Sequence, residues 1–136
     1  MVVDDDEGAA RVVTWILSRN QYSTKFFREP RKALEEFKRN PKRYMAIVVD
    51  ARMPGMTGFE FARRVRKLCT EIRIILLTDF EISKSEFKKV FPSSQIDDIV
   101  LKPTAAQQLM QAVMGTTKVD NERLSNEDLH GYQSVP

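Results

Sequence analysis

"YMAIVVDARMPGMTGFEFARRVRKLCTEIRIILLT", residues 44–78, is apolar at both ends and amphipathic in the middle. The ends, "YMAIVVD" at 44–50 and "IRIILLT" at 72–78, are short and rich in β-branched residues. Such runs fit strands covered on both faces. Between them, "GFEFARRVRKLC" places Phe61, Ala62, Val65, Leu68 and Cys69 on one helical stripe, with Arg63, Arg64, Arg66 and Lys67 facing outward. Strand, helix, strand is a crossover unit, because parallel neighbours cannot be joined by a tight turn.

The same alternation extends in both directions. "MVV" at the start, "YSTKFF" at 22–27 and "IVL" at 99–101 supply three more candidate strands. "AARVVTWILSRN" and "EPRKALEEFKRNP" read as helices, the second with Pro30 at a first helical position, Ala33, Leu34 and Phe37 on one face, and Asn40–Pro41 as its stop. Ser83 with Glu86 forms a capping-box pattern, stapled by Ile82 and Phe87, and Thr104 with Gln107 repeats that spacing before "LMQAV". Five strands alternating with five helices predict a doubly wound α/β domain with a parallel sheet and helices on both faces. From residue 116 the pattern gives way to a polar segment, 116–136, which reads as a mobile tail.

A chain of 136 residues, 42% hydrophobic, suits one domain. A net charge of +3 and a pI near 9.1 are modest, and the basic stretch from Lys25 to Arg43 reads as a solvated helix face able to meet an acidic partner. No direct nucleic-acid contact is expected. Cys69 is alone, which excludes an internal disulfide and fits a reducing compartment. The acidic start "MVVDDDEG" is unlike a signal peptide, and no apolar run approaches the roughly 18 residues of a membrane span. A cytoplasmic protein without membrane insertion is expected.

In a doubly wound sheet, ligands bind beyond the carboxyl ends of the strands. There stand Asp4, Asp5 and Asp6 after the first strand, Asp50 after the third, Thr78 after the fourth, and Lys102 with Pro103 after the fifth. Singly, these residues are ordinary caps, turn formers and exposed side chains. Together they are not, because carboxylates gathered at one rim repel one another and call for a cation. Mg²⁺, which takes oxygen ligands and is typically held by carboxylates with phosphate and water, answers that need.

On these residues the sequence resembles the receiver domain of two-component response regulators, over about residues 1–115. "VVDDDEG" is similar to the family's acidic pair, "VVDARMPGMTGFE" to its D-x-x-M-P-x-x-x-G-x-E signature, "LLTD" to its switch threonine and "VLKP" to its strand-five lysine and proline. The resemblance implies a five-stranded sheet of order 2-1-3-4-5. It implies Asp50 as phosphoacceptor, and Mg²⁺ held by Asp4, Asp5, Asp50 and the main-chain carbonyl of Arg52. Lys102, Thr78 and the main-chain N–H of Asp79 would contact the phosphoryl group, and the Lys102–Pro103 peptide would be cis. Met53 and Pro54 would shape the loop, and Gly58 would permit the turn into the next helix. The implied donor is a sensor histidine kinase or histidine phosphotransfer protein, with output through a downstream effector protein.

Four positions depart from the family pattern. Asp79 stands where a small residue is usual, and Ile99 where many members carry an aromatic. Arg52 and Phe80 flank the expected path of the hydrolytic water and are expected to slow loss of the phosphoryl group. A degenerate receiver acting only as a protein-interaction module is the alternative that Asp79 raises. A hydrolase of the haloacid-dehalogenase type would need a second aspartate where Arg52 stands, and 116–136 is too short and polar for a helix-turn-helix.

Overall fold

The computed structural model describes residues 1–79 and 95–115. Five strands, β1 (Val2–Val3), β2 (Phe26–Phe27), β3 (Ala46–Asp50), β4 (Arg73–Thr78) and β5 (Asp98–Leu101), form one parallel sheet in the order β2-β1-β3-β4-β5. The helices among the described residues are α1 (Glu7–Arg19), α2 (Pro30–Arg39), α3 (Gly58–Leu68) and α4 (Ala106–Met114), with a short 3-10 turn over Pro41–Arg43. The doubly wound α/β architecture is the one the alternation predicts. The helix expected to begin near Ser83, the residue Phe80, and the segment from 116 onward lie outside the described residues.

Successive strand residues point to opposite faces, so one sheet feeds two cores. Val3, Ile47, Val49, Ile74 and Leu76 pack with Ala33 and Phe37 of α2 and with Phe61 and Val65 of α3. Val2, Val48, Ile75 and Leu77 pack with Val13 and Leu17 of α1 and with Leu109 and Val113 of α4. Both faces are dry, which is why the strand sequences do not alternate.

Several local expectations change. The run at 22–27 contributes only Phe26 and Phe27, half-buried at the sheet edge. Arg66 does not face outward: its side chain is only 8% exposed, and its guanidinium donates to the carbonyls of Thr70 (3.0 Å), Ile72 and Gln95 (2.9 Å) and to Asp97 Oδ2 (2.6 Å). Leu68, placed on the apolar stripe, is exposed. Cys69, the last residue of the stripe, does pack against the core, at the C-cap of α3. Thr104 does not cap α4; the helix starts one residue later than the pattern requires, after Ala105, with no side-chain cap.

α1 closes with Gln21 in the left-handed region, φ 67°. The N–H of Gln21 donates to Ser18 and that of Tyr22 to Leu17, a Schellman arrangement that normally places glycine at this position. At the same end of the sheet, Arg73 at the start of β4 donates through Nε to the carbonyl of Ala112, so a strand cation closes the carboxyl end of α4. Asp98 lies 3.8 Å from the same guanidinium.

Candidate functional site

Strand order and register bring the polar strand ends together. Asp50 ends β3 opposite Leu77, and Thr78 follows on the neighbouring strand opposite Leu101, one residue before Lys102. The main chain is tied here by Ala51 N–H to the Leu77 carbonyl (2.8 Å) and Lys102 N–H to the Thr78 carbonyl (2.7 Å). β1 lies on the other side of β3, which sets Asp4 and Asp5 beside Asp50.

The three acids of the first loop divide their work. Asp6 is the N-cap of α1 and accepts from the Ala9 N–H at 3.2 Å. Asp4 is fully buried; its Oδ1 accepts from the Asp6 N–H at 3.0 Å and its Oδ2 from Lys102 Nζ at 3.1 Å. Lys102 Nζ also lies 2.8 Å from Asp50 Oδ1. A carboxylate oxygen from each of Asp4, Asp5 and Asp50 falls within 4.8 Å of the others. One ammonium thus faces three carboxylates, and the site is net negative.

That imbalance governs the titration of both partners. Burial, and then the charges of Asp4 and Asp5, hold the Asp50 carboxyl above its ordinary range against the lowering pull of Lys102. Burial pulls the Lys102 ammonium down, but hydrogen bonds and charge from Asp50 and Asp4 outweigh it and raise its pKa. The surplus negative charge and the all-oxygen donor set fit a hard divalent cation.

The loop after Asp50 is held from beneath. Gly58, first residue of α3, packs so closely that a Cβ there would lie 2.3 Å from the Asp50 carbonyl oxygen and 2.8 Å from Leu76 Cδ1. Its role is close approach, and the left-handed residue of the loop is Gly55, φ 80°. Thr57 caps α3 by accepting from the Glu60 N–H at 3.1 Å, a T-x-x-E signal already present in the sequence. Met53 is buried, Pro54 exposed, and Arg52 and Asp79 present exposed side chains beside the site. Thr78 is buried, and the Lys102–Pro103 peptide is cis.

Known proteins share this fold and sequence pattern. The family model described as the response regulator receiver domain matches residues 1–114. The response regulator MprA of Mycolicibacterium vanbaalenii is 32% identical over 124 residues, covering 89% of this chain and 52% of that protein. The two-component response regulator ARR10 of Arabidopsis thaliana is 28% identical over 109 residues, 80% of this chain and 19% of that one. The chain therefore spans about half the length, or less, of these curated relatives. Among solved structures, the chemotaxis protein CheY4 of Vibrio cholerae superposes with a TM-score of 0.73 at 26% identity, covering 85% of this chain and 95% of its own. With the family model spanning the sheet, the acidic cluster and Lys102, the chain belongs to the response regulator receiver domain family of two-component systems.

Proposed function

We propose that this receiver is a phosphorylation-dependent switch in which Asp50 is the phosphoacceptor. The observation that carries the reading is the meeting of Asp50, Asp4, Asp5 and Lys102 at one sheet edge, with Lys102 bridging Asp50 at 2.8 Å and Asp4 at 3.1 Å. The donor is a phosphohistidine on a sensor kinase or phosphotransfer protein in the cytoplasm, and a partner protein reads the product. Residues 1–115 form the receiver unit, with 116–136 outside it.

A carboxylate oxygen of Asp50 attacks phosphorus in line as the bond to the donor histidine breaks, which leaves an acyl phosphate. Lys102 offers its ammonium to the phosphoryl oxygens, and burial strengthens that interaction. The Thr78 hydroxyl and the Asp79 N–H complete the phosphoryl cradle. Asp4, Asp5, Asp50 and the Arg52 carbonyl would hold Mg²⁺, which when bound supplies charge neutralisation at the same oxygens. Hydrolysis of the acyl phosphate resets the switch, and the chain catalyses no other turnover.

Incubation with Mg²⁺ and a small-molecule phosphodonor, read by intact mass, tests the assignment. The wild type should gain one phosphoryl group and Asp50→Ala none. An adduct that survives in the variant assigns the chemistry elsewhere, and no adduct on the wild type favours a phosphorylation-independent interaction module, the role to which the exposed Asp79 carboxylate would suit it. Arg52, together with Phe80, slows the decay of the phosphorylated form. Arg52→Gly should shorten its half-life by several-fold, and an unchanged half-life discards that role.

A further inference from the structure

Away from the site, charge is concentrated along α2. Residues 25–43 carry eight lysines and arginines against three glutamates, in a chain whose overall excess is only +3. One of those glutamates does not offset the outer face: Glu36 is buried and accepts from Lys25 Nζ (2.6 Å), the Tyr44 hydroxyl (2.5 Å) and Asn40 Nδ2 (2.8 Å), with Arg43 at 3.5 Å. Lys25 and Arg43 are thereby turned to Glu36. Arg28, Arg31, Lys32, Lys38, Arg39 and Lys42 remain, all exposed.

Part of the positive charge on the other helices is neutralised within the helix, although among the described residues Arg63 and Lys67 on α3 also have no carboxylate within ion-pair distance. On α1 and α3, Arg11 and Arg64 pair at i,i+4 with Glu7 (3.3 Å) and Glu60 (2.8 Å). On α2, Lys32 has Glu29 at 3.6 Å, but among the described residues no carboxylate lies within ion-pair distance of Arg31, Lys38, Arg39 or Lys42, although Glu35 stands four residues from both Arg31 and Arg39. The helix dipole accounts for Lys38 and Arg39 in the last turn. It opposes Arg31 and Lys32 in the first turn, where no acid stands. Helix stability alone does not explain this face.

We propose that α2 is a docking surface for an acidic helical face of a partner protein. Arg31 with Lys38, and Lys32 with Arg39, are seven residues apart and form two parallel rows of about 10 Å each. A partner helix has the same rise per residue, so carboxylates at i and i+7 meet both ends of a row. Glu29 and Glu35 interrupt the cations and would face phosphates in any nucleic acid. Phe37, an aromatic of this helix, is fully buried and offers no base-stacking platform. The amino end of α2 also shares a surface pocket with the loop after Asp50: Glu29, Pro30 and Arg31 line it with Pro54 and Gly55. A helix laid along α2 would therefore reach the rim of the phosphoryl site.

The test is fluorescence anisotropy with the full chain and two labelled alanine-based peptides of equal charge, one with glutamates at i, i+1, i+7 and i+8 and one scrambled. The patterned peptide should bind about tenfold more tightly than the scrambled one. The variant Arg31→Gln/Lys32→Gln/Lys38→Gln/Arg39→Gln should lose that advantage, while Arg63→Gln/Lys67→Gln on α3 keeps it. Equal binding of both peptides, retention by the α2 variant, or tighter binding of a short DNA duplex at the same salt overturns the proposal. None of these readouts depends on whether Asp50 accepts a phosphoryl group.

Discussion

Gly58 shows how one atom can constrain the site. A Cβ at this position would sit 2.3 Å from the carbonyl oxygen of Asp50, a backbone atom with no flexible end to swing aside. Gly58→Ala should destabilise the domain by about 1–3 kcal/mol, the usual range for overpacking, measured as a lower urea midpoint. The same shift should move Asp50 away from Lys102 and slow phosphorylation more than the stability loss alone would. The functional cluster was legible because acids and a lysine closing apolar runs are anomalous there. The function of Gly58 was not, since close approach by Leu76 and the Asp50 carbonyl is a property of the assembled sheet and helix. Arg66 was misread for the same reason: its partner Asp97 is 31 residues away.

At the scale of elements, the sequence located every described strand and α-helix, together with the Pro30 start and Asn40 stop of α2, but not every other end. Periodicity reports which face is buried, whereas ends depend on caps and on neighbours. Thr57 supplied such a cap and Thr104 did not, though both precede an acid or amide at the same spacing. The closure of α4 by Arg73 joins residues 39 apart and leaves no local trace. Gln21 is the clearest element-scale prediction. Its left-handed φ of 67° costs an L side chain about 1 kcal/mol or more, which glycine avoids, less the entropy glycine adds to the unfolded chain. Gln21→Gly should therefore raise stability by a few tenths to about 1 kcal/mol. A lower thermal midpoint would show that Gln21 makes a compensating contact.

The whole molecule keeps two kinds of charge apart. Hydrogen bonds from Lys25, Tyr44 and Asn40 hold the Glu36 carboxyl down at about 2, against an ordinary value of 4.5. Burial and then the Glu36 hydrogen bond push Tyr44 up to about 12 from 10.0. The Glu36 contribution to stability is present above pH 4.5 and is lost as pH falls toward 2; the Tyr44 contribution is present below pH 10 and is lost as pH rises through 12. Urea midpoints should stay level between these limits as far as this cluster governs them, and Glu36→Gln should flatten the acid limb. The cluster lies at the amino ends of the strands with two others, Arg66–Asp97 and Arg73–Asp98, opposite the rim that carries Asp50. The clamps and the chemistry are therefore separately mutable. Substitutions that retune the rim leave the three clamps untouched, so new signalling specificities can be explored by drift, or by an engineer, without first rebuilding the scaffold.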